Sequence, residues 1–320
     1  MYIPPEAHGS PLIITGSDDD KAVVWDLKSG KKLRSLKGEH SDRITSIAVF
    51  QPKNEDPKIL TASWDNSVIV WDLHSGDKVL TVQDANADGI NAVGVCLPSG
   101  VDSSPLIVAG CGNGSVLVWD FKTGAVQGAV SAQHTSSVSA LTVFNHFVIT
   151  GYEDGTAMVW NHANIIGKKV STLNGHSDTV TSVAMFVPEA GADSPPLVIT
   201  GSDDGTAVIW SFYSAEKLRV LEGVHDDSIS AVSVCVARDG SFAPIVVTCS
   251  HDSTAVLWDL HSGRVLRRLE GGHTDYINAV AVYVPQDPKL APRIITGGDD
   301  CLVMIWELSK GTLYYVLLTV

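Results

Sequence analysis

Thr200-Gly201-Ser202-Asp203-Asp204-Gly205-Thr206-Ala207-Val208-Ile209-Trp210 is the stretch on which the fold turns. It reads as the end of one apolar run, a tight polar turn, and a second apolar run closed by tryptophan. Nearly the same string stands at Thr15-Gly16-Ser17-Asp18-Asp19-Asp20-Lys21-Ala22-Val23-Val24-Trp25. It recurs at Thr296-Gly297-Gly298-Asp299-Asp300-Cys301-Leu302-Val303-Met304-Ile305-Trp306. Working outward, seven of the eight tryptophans close such runs: Trp25, Trp71, Trp119, Trp160, Trp210, Trp258 and Trp306, spaced 41 to 50 residues apart. A period of that length marks an array of supersecondary units.

Each unit divides into four strands. In the unit around Trp210, Thr181–Phe186 alternates polar and apolar, and Leu197–Gly201, Ala207–Trp210 and Lys217–Leu221 follow as short runs. Runs of four to six residues rich in Val, Ile and Thr, bounded by Gly, Asp and Pro, are strand signals, and no ten-residue stretch has a helical period. The expected fold is all-β, a seven-bladed propeller forming a single unit over residues 1–320. The expected blades are 1–37, 38–83, 84–131, 132–173, 174–222, 223–270 and 271–320. Met1-Tyr2-Ile3-Pro4 aligns with Met185-Phe186-Val187-Pro188. Blade 1 therefore lacks most of its inner strand, has three strands, and carries an open edge. This favours a domain cut from a longer chain.

The units resemble WD40 repeats over essentially the whole chain. The family's Trp-Asp pair stands at Trp25-Asp26, Trp71-Asp72, Trp119-Asp120 and Trp258-Asp259, and departs to Trp160-Asn161, Trp210-Ser211 and Trp306-Glu307. Its Gly-His pair stands at Gly175-His176 and Gly272-His273, and is altered to Glu39-His40, Gln133-His134 and Val224-His225. The resemblance implies one buried His–Thr–Asp–Trp tetrad per blade. The matching sets are His40, Thr61, Asp65 and Trp71; His134, Thr150, Asp154 and Trp160; His176, Thr200, Asp204 and Trp210; His225, Thr248, Asp252 and Trp258; and His273, Thr296, Asp300 and Trp306. The chemistry fits, because Trp donates, Thr donates and accepts, neutral His does both, and Asp accepts. A His, a hydroxyl and an Asp together can suggest a nucleophilic triad. Recurrence in five blades argues for a fastener, since an active site occurs once. Blade 3 has Asn86, Ala109 and Asn113 at these places and is expected to be the least stable internal blade.

Composition bounds the rest. Apolar residues are 44% and charged residues 18%, which suits a packed core. Net charge is −14, from 22 Lys and Arg against 36 Asp and Glu, so a nucleic-acid partner is disfavoured. No apolar run reaches the ~20 residues of a membrane span. Met1-Tyr2-Ile3-Pro4-Pro5 does not read as a secretory signal. The five cysteines contain no CxxC spacing and read as buried thiols with no zinc cluster, favouring the cytosol and leaving the nucleus open. No cofactor or metal is expected: Gly110-Cys111-Gly112-Asn113-Gly114 is a turn with no helix after it. Lys28, Lys31, Lys32, Arg34 and Lys37 read as protection for an edge strand.

Function is then expected at loop positions that vary while the framework repeats. Before each turn Asp stand Asp18, Trp64, Gly112, Glu153, Asp203, His251 and Asp299. The inner strands start with Arg43, Gly89, Ser137, Thr179, Ser228 and Tyr276, and two residues on come Thr45, Asn91, Ser139, Thr181, Ser230 and Asn278. The resemblance implies that such positions bind peptides on one top face. Trp64, Arg43, Asp18, Glu153, Asp203, His251, Tyr276 and Asp299 are the candidates. Trp64 reads either as a binding anchor or as a ring lying over its neighbours. The first reading is a non-enzymatic scaffold whose acidic face takes protein or peptide partners with basic segments. The second is an enzyme using Asp18, Asp203 and Asp299 with a metal ion, and the third a structural propeller that associates through the open edge.

Overall fold

A computed structural model of the chain describes residues 2, 10–53, 55–98, 104–130, 134–161, 168–188, 195–237, 240, 242–285, 287 and 290–318. The chain is an all-β seven-bladed propeller built of antiparallel sheets. The first sheet holds β1 (Leu12–Gly16), β2 (Ala22–Asp26) and β3 (Lys32–Leu36). The second holds β4 (Ile44–Phe50), β5 (Lys58–Ser63), β6 (Ser67–Asp72) and β7 (Lys78–Gln83); the third β8 (Ile90–Cys96), β9 (Leu106–Cys111), β10 (Val116–Asp120) and β11 (Val126–Val130). The fourth holds β12 (Val138–Phe144), β13 (Phe147–Tyr152), β14 (Thr156–Asn161) and β15 (Lys168–Asn174); the fifth β16 (Val180–Phe186), β17 (Leu197–Ser202), β18 (Ala207–Ser211) and β19 (Lys217–Leu221). The sixth holds β20 (Ile229–Cys235), β21 (Ile245–Ser250), β22 (Ala255–Asp259) and β23 (Val265–Leu269); the seventh β24 (Ile277–Tyr283), β25 (Arg293–Gly298), β26 (Leu302–Glu307) and β27 (Leu313–Leu318). Two compact units divide the chain: Met1–Glu153 with Met158–Ser171, and Asp154–Ala157 with Thr172–Val320.

Burial follows strand position. The second and third strands of a sheet are covered on both faces, so β6 and β9 are continuous apolar runs. The last strand of a sheet is half exposed, and β19 buries only its final Leu221. In the first unit, Leu60, Val70, Ile90, Ile107 and Trp119 form one apolar cluster between the second and third sheets. In the second unit, Ile199, Ile209, Val232, Val246 and Trp258 do the same between the fifth and sixth. Sheets approach closely where a side chain is missing. A β-carbon on Gly110 would lie 2.3 Å from Val138 Cγ1, so larger residues are excluded there.

The turn after the second strand of a full sheet, and its counterpart after β1, has one fixed backbone demand. Asp20, Asn66, Gly114, Gly155, Gly205, Ser253 and Cys301 all have φ between 60° and 82°. Each directly follows the turn Asp or Asn, and the positive φ explains why Gly stands at three of the seven positions. Among the described residues, the open side of the first sheet carries one bridge, from Tyr2 to Leu12. No helix is long and apolar enough to cross a membrane among the described residues.

Candidate functional site

In the second sheet His40, Thr61, Asp65 and Trp71 form a relay. Trp71 Nε1 donates to Thr61 Oγ1 at 2.9 Å. Thr61 Oγ1 lies 2.7 Å from His40 Nε2, and His40 Nδ1 lies 2.9 Å from Asp65 Oδ2. Since the carboxylate only accepts, His40 carries its proton on Nδ1 and accepts from Thr61 through Nε2. The fifth sheet repeats this with His176 at 2.7 Å from Thr200 and 2.9 Å from Asp204, the sixth with His225 at 2.8 Å from Thr248 and 2.9 Å from Asp252, and the seventh with His273 at 2.8 Å from both Thr296 and Asp300. Trp210, Trp258 and Trp306 donate to those threonines at 2.8 to 2.9 Å.

Burial lowers His176 and His225 below the ordinary imidazole range, and Asp204 and Asp252 oppose that only in part. Burial alone would raise Asp65, Asp204 and Asp252. Hydrogen bonds from Ser67, Thr206 and Thr254, from the histidines and from backbone amides outweigh it, so all three stay below the usual carboxylate value. Those hydroxyls are members of the network that the sequence reading did not include. Ser67, Thr206 and Thr254 donate to the Asp Oδ1 at 2.6 Å and sit 3.1 to 3.3 Å from the His Nδ1. Their signal is a Ser or Thr two residues after the turn Asp.

Other sheets vary the theme. Trp160 donates to Thr150 at 2.8 Å, the His134 ring stacks on Tyr152 at 4.2 Å, and Asp154 Oδ1 accepts from Thr156 at 2.7 Å. Trp25 donates to Thr15 at 3.0 Å in the first sheet. In the third, Ala109 offers Trp119 no hydroxyl, and the Asn113 side chain turns to the backbone carbonyl of Asn86.

The variable positions come together in pairs at one end of each four-stranded sheet. The amide of the turn residue donates to the carbonyl of the inner-strand residue: Trp64 to Arg43 at 3.2 Å, Glu153 to Ser137 at 3.1 Å, Asp203 to Thr179 at 3.0 Å, His251 to Ser228 at 3.1 Å and Asp299 to Tyr276 at 2.9 Å. Trp64 is 46% exposed. The Arg43 guanidinium covers one face of its indole at 3.4 Å, and the indole N–H donates to Asn91 Oδ1 at 2.9 Å. Asp18 is exposed, beside an ion pair of Asp19 and Lys21 at 2.8 Å.

In the second unit, His251 and Tyr276 stack at 4.4 Å, and Asn278 donates to Asp299. Asp203 is half-buried. Burial and the nearby Asp178 and Asp227 carboxylates push it above the ordinary range, and Ser228 and His251 offset this in part. Several other ring positions face neighbouring strands instead of solvent. Thr45, Thr181 and Ser230 donate to the carbonyls of Ile90, Ile229 and Ile277, and Asn91 donates to that of Val138. No group of three or more His, Cys, Asp or Glu is placed to hold a metal ion among the described residues.

The tryptophan-ended repeats and their networks have a match among protein families. Residues 30–72, 128–161, 167–211, 216–259 and 263–307 match the WD domain, G-beta repeat. The chain belongs to the WD40 family. The match passes over residues 73–127, where the third sheet of this WD40 propeller carries Asn86, Ala109 and Asn113. No curated protein matches the chain. Among solved structures it is similar to the crystal structure of the computationally designed Ika8 protein, with 26% identity, 97% of this chain and 85% of that chain covered, and a TM-score of 0.69.

Proposed function

We propose that this propeller, from a family that typically serves as protein-interaction scaffolds and is usually non-catalytic, is a non-enzymatic scaffold whose acidic turn ends receive lysine- or arginine-bearing segments of protein partners. The observation that carries the reading is the group Asp178, Asp203 and Asp227. Among the described residues no Lys or Arg forms an ion pair with any of them, and burial together with repulsion from Asp178 and Asp227 holds Asp203 above its ordinary range. A docked cation would relieve that repulsion. Tyr276, 45% exposed and stacked on His251, supplies an aromatic surface in the same unit. In the first unit the Arg43–Trp64 pair, with Asp18 and Glu153 on other turns, presents a second recognition element. The buried thiols of Cys96, Cys111, Cys235 and Cys249 favour a reducing compartment such as the cytosol.

The test is fluorescence anisotropy with a panel of labelled Lys/Arg-containing peptides and charge-reversed controls. The expected result is binding of basic peptides that weakens with salt, is lost in Asp203→Asn with Tyr276→Ala, and leaves melting unchanged. Binding that ignores peptide charge, or survives in an equally stable double variant, would reject the reading. Loss instead in Arg43→Glu with Trp64→Ala would move the site to the first unit.

A further inference from the structure

Six sheets have four strands and the first has three, so the inner edge of β1 lacks a partner along most of its length among the described residues. Tyr2 fixes the register of that edge. Its N–H donates to Leu12 O at 2.9 Å and its carbonyl accepts from Leu12 N at 2.9 Å. Alternate residues of a strand direct their backbone groups the same way. Ile14 and Gly16 therefore direct theirs to the same edge as Leu12, while Pro11 O faces β2 and accepts from Leu27 N. The Tyr2–Leu12 pair corresponds to Phe50 opposite Lys58, Phe186 opposite Leu197 and Tyr283 opposite Arg293, the last pairs of full inner strands.

The other inner strands show what such an edge takes. β4, β8, β12, β16, β20 and β24 read ITSIAVF, INAVGVC, VSALTVF, VTSVAMF, ISAVSVC and INAVAVY. The pattern is apolar, then Thr, Asn or Ser, then small, then apolar, then a small residue or Thr, then apolar. Its polar residues have a job between sheets. The second residue donates to the first carbonyl of the next inner strand, as Thr45 does to Ile90 and Ser230 to Ile277. A serine in third place accepts from an amide of that strand: Ser46 Oγ from Val93 N at 3.2 Å and Ser182 Oγ from Val232 N at 3.0 Å. On β4 the groups at the corresponding positions are the Ile44 carbonyl and the Ile47 amide, and among the described residues the first sheet has no inner strand to meet them.

We propose that the β1 edge is an acceptor for an extended segment of a protein partner, added antiparallel to β1 with the first five residues of this pattern, apolar–hydroxyl–Ser–apolar–small. Main-chain bonds to Ile14 and Gly16 supply affinity, and the two polar side chains reaching β4 supply selectivity. This site is built from other residues than the group of Asp178, Asp203 and Asp227.

The probe is a synthetic peptide carrying ITSIA, the five positions before those of Met1 and Tyr2, between lysines for solubility, titrated into the 320-residue chain and read by melting temperature and by anisotropy of a labelled copy. A saturable rise in melting temperature is expected. Replacing the peptide's Thr and Ser by Val and Ala is expected to weaken binding about 10-fold, as for two lost hydrogen bonds. N-methylation of alternate peptide amides should abolish it. Ile14→Pro removes an edge-facing N–H together with a side chain packed against the cluster of Val24 and Ile59, and should also abolish binding; Ile14→Val keeps the N–H and most of that packing and should retain it. If the proline variant does not fold, the N-methylated peptide still decides. Absence of a saturable shift, or equal binding of the N-methylated peptide, overturns the proposal. So does a dimer in sedimentation that the peptide neither enters nor dissociates, because a second copy would then hold the edge.

Discussion

The second and third sheets share one backbone plan and differ in what lies inside it. Both pair Trp with the residue after the start of the preceding strand, Trp71 with Ile59 and Trp119 with Ile107. Both carry irregularities at the start of the inner strand and just before the Trp. The second sheet fills the space beneath its Trp with Thr61, His40, Asp65 and Ser67. The third has Ala109 and Cys111 there, within an apolar cluster that also holds Val93, Leu117 and Phe121. Strand pairing and apolar burial therefore suffice to make a blade, and the polar network is an addition to it. A satisfied network rigidifies, and a partly satisfied one costs more than an apolar interior. The third sheet has given up several of its members together.

The largest break in this comparison is Thr61→Val. The substitution keeps the shape and removes the hydroxyl that serves both Trp71 and His40, each buried. Two orphaned groups imply a loss of about 3 kcal/mol in urea unfolding. Ala109→Ser, which restores a hydroxyl without the His or Asp to complete the relay, should change stability by less than about 1 kcal/mol. Equal effects at the two positions would mean that the network is not what distinguishes the sheets.

Acid sharpens the contrast next. Folding lowers His176 and His225 below their free value of 6.5, so the unfolded chain binds more protons in that range. Their contribution is complete above pH 6.5 and is lost as pH falls toward the lower folded value. Asp204 and Asp252, held below 3.8, add a second loss at lower pH. Melting temperature should fall from pH 7.5 to pH 5, and His176→Asn with His225→Asn should flatten that slope. Amides of β8–β11, with Asn86 in the His place, should show no matching change in opening free energy over this range. A slope that survives both substitutions would place the acid response elsewhere.

What could be read from the sequence was what repeats. Register pairs Thr61 with Ile69 and Ile59 with Trp71, so Thr61 and Trp71 are diagonal neighbours on one face, and a fixed spacing of ten betrays them. The three-stranded first sheet was legible because Tyr2 aligns with Phe186. The candidate site was less legible, because its contacts cross between repeats. Nothing in Arg43 or Trp64 announces that one lies on the other, or that Asn91 holds the indole while reaching Val138. Arg34, read as an edge guard, donates to the His74 carbonyl in the next sheet, and Arg219 and Arg267 do the same to His261 and Lys310. These bonds span about 40 residues and leave no local pattern.

The smallest effect separates the sheets most directly. Cys96 and Cys235 occupy one register position, the last residue of the inner strands β8 and β20, and both are fully buried. Burial pushes their thiols up to about 11 and about 12, so neither is reactive in the closed fold. Labelling must wait for local opening, after which the two thiols are chemically alike. The rate ratio then reports the difference in opening free energy between a sheet without the network and a sheet with it. About 1–2 kcal/mol less protection makes Cys96 roughly 10-fold faster. Exposed Cys301 should react first in both wild type and variants and calibrate the reagent. Peptide-resolved mass spectrometry reads all three thiols in one sample. Thr248→Val, which damages the relay in the sixth sheet, should raise the Cys235 rate toward that of Cys96 and leave Cys96 unchanged. If Cys235 already matches Cys96 in the wild type, apolar burial alone sets how tightly a blade closes, and the network has another use.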